Sequence, residues 1–191
     1  MVLKPLERQL YSDDDFEAFL KLPENDDRLF ELIDGEIVEK MTTEQHGVIA
    51  ALFATFINIF LFANPIGRVA VEARHQPANA KDKRNNRLPD VSFVTNEHPL
   101  TTRGTALYIP ELCIEIQSPD DSAKKMANKA AFYLENGAKM VWLVYPSKLL
   151  VEMLTLDSRE LLGIEDTIGG GDVLPGFTLA VKQVFPSEHQ S

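Results

Sequence analysis

The chain has a single cysteine, Cys113, which excludes an internal disulfide. It sits in an apolar run, so it reads as a buried thiol in a reducing cytoplasm. Met1 to Tyr11 lacks the apolar h-region of a secretory signal. The longest apolar stretch, Val48 to Ala63, is shorter than a bilayer span and is interrupted by Thr55 and Asn58, so a core helix is expected there and no membrane partner. Cations are scarce: 19 Lys and Arg stand against 29 Asp and Glu, a net charge of −10. That excludes a surface that binds nucleic acid by bulk charge. The basic side chains are uneven, however. Arg68, Arg74, Lys81, Lys83, Arg84, Arg87 and Arg103 outnumber the acids between residues 67 and 104. They read either as a solvated loop or as a local phosphate-facing patch around Asp90. No repeat and no linker interrupts the 191 residues, so one domain over 1–191, with its core at about 10–185, is expected.

What is present has a clear order. Ser12 caps a short helix over Asp13–Leu20, with three acids in its first turn. Leu29 to Lys40 reads as a hairpin turning at Asp34-Gly35. Thr43 caps a helix over 44–63, apolar nearly all round and so expected to be buried on most sides; Pro65 ends it. A strand is expected around 67–75, a loop over 77–86, and strands over Val91–Thr95 and 112–117. Asp120, Asp121 and Ser122 are cap candidates for a helix that stops at Asn136-Gly137. Met140 to Val144 is a continuous apolar strand, and 150–156 alternates as the next. Short strands and a last helical turn near 182–185 follow. This order specifies an α/β domain with a mixed β-sheet flanked by helices.

Two of these strands carry the chemistry. In Pro89-Asp90-Val91-Ser92-Phe93-Val94 and in Leu112-Cys113-Ile114-Glu115-Ile116-Gln117, a carboxylate interrupts residues suited to a buried strand. A buried charge is costly unless paired or metal-bound. Asp90 near the start of one strand and Glu115 near the end of another converge if the strands are antiparallel neighbours. Magnesium keeps most of its waters and needs only one or two carboxylates. Such a pair suits phosphodiester hydrolysis, which requires an activated water and neutralised phosphate charge. Read on spacing alone, two ordinary strand-end acids remain the competing account.

The wider pattern goes further. Tyr11 to Leu22, Phe30-Glu31-Leu32-Ile33-Asp34-Gly35-Glu36, His46, Pro89-Asp90, Glu115-Ile116-Gln117-Ser118-Pro119, Lys129 with Tyr133, Asn136-Gly137, Val141-Trp142-Leu143-Val144 and Leu174-Pro175-Gly176-Phe177 occur in this order. Together they resemble the Uma2 family of restriction-endonuclease-like proteins, within the PD-(D/E)xK nuclease superfamily. The resemblance implies the restriction-endonuclease-like fold and an endonuclease acting on nucleic acid, DNA before RNA. It also implies Mg²⁺ or Mn²⁺ as cofactor and a homodimer. Carried over, Asp90 and Glu115 are the metal ligands. Gln117 falls where the motif has lysine and cannot carry its charge. Lys129, four residues before Tyr133 on one helix face, is the candidate substitute. The catalytic set is thus Asp90, Glu115, Gln117 and Lys129. Glu31, His46, Ser118 and Tyr133 are supporting candidates: Glu31 on the strand face opposite Phe30 and Leu32, His46 for a hydrogen bond to a water, Ser118 for phosphate. Gln117 and the acidic surface keep an alternative open, a catalytically weakened nuclease fold acting as a binding or regulatory module. Two stability expectations follow. Asp90→Asn is expected to stabilise the metal-free chain by relieving repulsion, and Lys129→Met to leave melting unchanged.

Overall fold

Strands that are apolar on both faces must be covered on both sides. The computed structural model, which describes residues 9–78 and 83–185, covers them with helices. The elements are α1 (Asp13–Leu20), β1 (Phe30–Ile33), β2 (Glu36–Glu39), α2 (Glu44–Ala63), β3 (Gly67–Val71), β4 (Val91–Thr95), β5 (Leu112–Ile116), α3 (Ala123–Glu135), β6 (Met140–Tyr145), β7 (Leu150–Leu154), β8 (Arg159–Leu162), β9 (Thr167–Gly169) and β10 (Thr178–Ala180). Six strands form one sheet in the order β3-β4-β5-β6-β7-β8. All its neighbours are antiparallel except β5 and β6. A parallel pair needs a crossover, and α3 supplies it.

Strand parity divides the interior. Leu112, Ile114 and Ile116 of β5 join Phe53 and Ile57 of α2, Trp142, and Leu174 and Phe177 of the C-terminal segment in the larger core. Cys113, between them, points the other way, to Met126, Ala130 and Tyr133 of α3. A third, small core of Phe16, Phe30 and Leu32 joins α1 to the β1–β2 hairpin.

Local sequence accounts for the boundaries. Ser12 and Asp15 form a capping box on α1. The Thr43 side chain accepts from His46 N at the start of α2, and that of Ser122 from Lys125 N at the start of α3. The hairpin turns through Asp34 and Gly35, both with positive φ (51° and 86°), the backbone that matches strand twist in a two-residue turn.

Three expectations change. The strand beginning at Gly67 stops at Val71, because Glu72 enters the left-handed region at φ 50°; His75 makes only isolated bridges to Arg87 and Ala106. The segment from Lys83 is no free loop. Leu32 and Asn86 exchange backbone hydrogen bonds, and Gly35 N donates to Arg84 O, so it docks on the hairpin. Among the described residues one helix, α2, is long and apolar enough to cross a membrane, yet it is not buried on most sides. One face packs on the sheet while Val48, Ile59 and Phe62 are exposed, Phe62 at 86%. Three of the basic side chains in 67–104 have partners within the fold. Arg68 donates to the carbonyls of His98 and Pro99, Arg74 donates to Phe30 O, and Arg87 lies buried over the Phe132 ring. Lys81 lies outside the described residues.

Candidate active site

The two strand acids meet on neighbouring strands. Asp90 immediately precedes β4, which pairs antiparallel with β5 through Val91 and Ile114. Its Oδ2 accepts a 2.6 Å hydrogen bond from Ile116 N. Glu115 shares the parity of Cys113 and points toward α3, where it is wholly buried. There Lys129 Nζ lies 2.6 Å from its Oε2, and the Tyr133 hydroxyl donates to its Oε1 at 2.7 Å.

The hairpin completes the cluster. Glu31 is buried opposite Phe30 and Leu32; its Oε1 accepts from Leu88 N at 2.9 Å, and its Oε2 lies 3.9 Å from Lys129 Nζ. Lys40, just past β2, forms a buried ion pair with Asp90 Oδ1 and donates to Leu88 O at 2.7 Å. From the first turn of α2, His46 Nε2 approaches the same Oδ1 to 3.0 Å. That approach lacks hydrogen-bond alignment, so both ring nitrogens and Asp90 Oδ1 are buried with no aligned partner.

Three carboxylates and two ammonium groups therefore share one buried volume, and their protonation follows from position. Burial pushes the Asp90 carboxyl up, but Lys40, His46 and Lys129 together hold it well below the usual carboxylate range. Burial pushes Glu115 up; Lys129 opposes this and Asp90 adds to it, so Glu115 stays raised. For Lys129 and Lys40 burial disfavours charge, but the surrounding carboxylates win and raise both. Position thus moves the two acids in opposite directions, Asp90 down and Glu115 up.

Two cavities meet at this cluster. The larger, about 650 Å³, is lined by Glu31, Lys40, Asp90, Arg87 and Lys129 among others. The smaller, about 420 Å³, lies against the start of α2 and the turn after β6. His46 and Ser118 line both.

Of the catalytic set, Asp90, Glu115 and Lys129 come together with Glu31, His46 and Tyr133. Gln117 does not join them: its Nε2 donates to Asp121 O at 2.8 Å, and it lines the smaller cavity. Ser118 Oγ reaches Met41 O at 3.4 Å. Sequence reasoning missed Lys40, and named Arg87 only as one of the basic run around Asp90. The signal for Lys40 was available, because Glu31 pairs with Val38 across the hairpin. Lys40, two residues on, falls on the same face.

A mixed sheet with one acid entering a central strand and a second on its antiparallel neighbour defines a restriction-endonuclease-like α/β protein. The chain belongs to the Uma2 family, whose model, described as "Putative restriction endonuclease", matches residues 16–182. It is similar to the crystal structure of a "putative nuclease belonging to DUF820" from Anabaena variabilis. The two are 25% identical with a TM-score of 0.76, covering 91% of this chain and 97% of that one. Comparison with curated proteins finds no match.

Proposed function

We propose that the chain is a metal-dependent endonuclease that hydrolyses phosphodiester bonds of DNA, with Mg²⁺ or Mn²⁺ held by Asp90 and Glu115. Among the described residues no three His, Cys, Asp or Glu side chains form a ready-made metal cluster. The residues nevertheless fit a magnesium-type ion, which takes one or two carboxylates and keeps its waters. The single observation that carries this is Asp90 Oδ1: an ionised carboxylate oxygen, buried beside the larger cavity, without an aligned hydrogen bond and already facing a cation, Lys40.

When bound, such an ion supplies Lewis-acid neutralisation of phosphate and a nucleophile at neutral pH. The chain's own groups supply the rest. Ile116 N holds Oδ2 of the Asp90 carboxylate, leaving Oδ1 to Lys40 and His46. Tyr133 and Lys129 fix Glu115. Lys129 carries the positive charge that Gln117 lacks, and Lys40 adds a second ammonium beside Asp90, where preorganised charge stabilises a developing phosphate anion most effectively. His46, with Nε2 3.0 Å from Asp90 Oδ1 and Nδ1 without a partner among the described residues, offers an imidazole for a proton at the same point.

The second reading, a weakened nuclease fold that binds or regulates, is favoured by one observation. Both Glu115 oxygens are already satisfied, and the motif lysine is replaced by a glutamine turned to Asp121. A homodimer in the cytoplasm belongs to the proposal. The charge-free exposed stripe Val48, Ile59 and Phe62 of α2 supports self-association, and the unpaired Cys113 thiol supports a reducing compartment.

The test is cleavage of duplex DNA, single-stranded DNA and RNA with Mg²⁺ or Mn²⁺. The wild type cleaves, and Asp90→Asn loses on the order of 10²–10³ in rate. Metal-dependent binding without cleavage establishes the second reading. Absence of both metal binding and cleavage sinks the proposal.

A further inference from the structure

A nuclease of net charge −10 must still seat an anion, and the larger cavity is poorly suited to it. Glu31, Asp34, Glu36, Glu39, Asp120 and Asp121 stand in its wall. The smaller cavity differs in kind. None of its lining residues is Asp or Glu; they include Thr43, Gln45, His46, Ser118, Ser147 and Lys148. It offers hydroxyls, amides, an imidazole and one ammonium.

Its position adds to its chemistry. Thr43 is the N-cap of the 20-residue α2, and Gln45 and His46 follow in the first turn. The unsatisfied N–H groups and positive dipole end of a long helix favour an anion there. Opposite, β6 runs into a single helical turn, Pro146–Lys148, closed by Leu149 in the left-handed conformation. This tight turn holds Ser147 and Lys148 at the rim. His46 supplies an independent sign of a ligand. It is 5% exposed, lines this cavity, and its Nδ1 is buried with no hydrogen-bond partner among the described residues. Buried polar groups are ordinarily satisfied; with Nε2 turned to Asp90 Oδ1, Nδ1 is the ring nitrogen for which the described residues provide no partner.

We infer that the cavity between the first turn of α2 and the Pro146–Lys148 turn is a phosphate subsite, which seats a phosphate of the substrate strand next to the bond facing Asp90. This rests on the nucleic-acid reading above. Lys148 contributes the charge, Ser118 and Ser147 the hydroxyl donors, and His46 joins the subsite to Asp90. The wall shared through His46 and Ser118 places the anion site beside the acidic cluster rather than within it, so a −10 chain can present negative charge to a metal and positive charge to a phosphate a few residues apart.

Two measurements on the full chain in chelator test it. The first titrates inorganic phosphate while the His46 ring signals are followed by NMR. The second measures anisotropy of a labelled 5′-phosphorylated single-stranded oligonucleotide over a range of salt. In the wild type, phosphate moves the His46 signals. Lys148→Glu removes that response and weakens oligonucleotide binding about tenfold, the size of one lost charge-assisted contact, with a salt slope shallower by about 0.7. Lys182→Glu, an exposed lysine that lines neither cavity, changes neither by more than about twofold. Lys148 is exposed, so the variant is expected to melt with the wild type. Phosphate moving His46 without any oligonucleotide binding retains the subsite and removes the nucleic-acid reading. Oligonucleotide binding that is indifferent to Lys148→Glu, with His46 unmoved by phosphate, overturns the subsite.

Discussion

The two faces of β5 are built from alternate residues of one five-residue strand, yet they do opposite work. On one side Leu112, Ile114 and Ile116 join apolar residues from α2, β6 and the C-terminal segment. On the other, Cys113 and Glu115 face α3 across a smaller core, at whose edge Lys129, Lys40, Glu31 and Asp90 are sunk. Dispersion and apolar burial hold the first face and need no exact partner. The second is held by mutual neutralisation, in which each charge is tolerable only while its neighbours stay. The difference assigns stability to one side of the sheet and chemistry to the other, one residue apart.

The comparison is broken most directly from the apolar side. Phe53 is fully buried with its ring 5.8 Å from that of Trp142, so Phe53→Ala is expected to cost about 3–5 kcal/mol in urea unfolding. Divalent-metal affinity of the molecules that remain folded should not change; a shift in affinity would join the two faces.

The charged side responds differently. Lys129→Met is expected to destabilise by about 3 kcal/mol, the lower end for a broken buried pair, because the raised Glu115 can take up a proton once its partner is gone. Glu115→Leu combined with Lys129→Met should restore most of the loss. A single variant that melts as the wild type does would show that the ammonium is surface decoration. This reverses the expectation drawn from sequence for Lys129→Met. The same reasoning reverses the gain expected for Asp90→Asn, since Lys40 would be left buried and unpaired.

Acid separates the regions next. His75 bridges Arg87 and Ala106, the segments beside the docked hairpin, and burial, more than neighbouring Arg68 and His98, lowers its pKa to about 4. The unfolded chain binds the proton first, so stability is complete above about pH 6.5 and is lost as pH falls toward about 4. The amount is roughly 2–3 kcal/mol. Melting temperatures across this window should fall less in His75→Phe than in the wild type; parallel curves would discard His75 as the source. The smallest effect is expected at Gln117. Its alanine variant loses one hydrogen bond to Asp121 O, about 1 kcal/mol, and changes cleavage by less than about tenfold. A larger loss of cleavage would return Gln117 to the catalytic set.

Local physics was legible in the sequence. The Asp34-Gly35 turn, the bounds of α2 between Thr43 and Asn64, and the Ser122 cap depend on residues a few positions apart, and each lies where its neighbours specify. Asp90 and Glu115 were legible because a charge inside an apolar strand is anomalous by itself. Lys40 was legible only in part: the hairpin register sets it on the Glu31 face, but its partner Leu88 O lies 48 residues away, and at the end of a hairpin a lysine looks solvated. Gln117 was misplaced for the opposite reason. Motif spacing assigned it to the acids, whereas the turn at Asp121 claims its side chain. The exposed half of α2 was illegible because composition reports how apolar a helix is and not which faces have neighbours.

The parallel crossover β5–α3–β6 also has a consequence for the order of assembly. Glu115 finds Lys129 fourteen residues on and Tyr133 eighteen residues on, both inside one short βαβ unit. Asp90 reaches Ile116 across 26 residues, and Glu31 reaches Leu88 across 57. Closing short loops is entropically easier, so the acid most exposed to the hazard of burial receives its counter-ion from its own unit before the distant groups arrive. The hairpin then closes over a neutral pair instead of a bare carboxylate. Pulse-labelled hydrogen exchange should find the amides of β5 and β6 protected ahead of those of β1 and β2; simultaneous protection would mean that the cluster forms in one step.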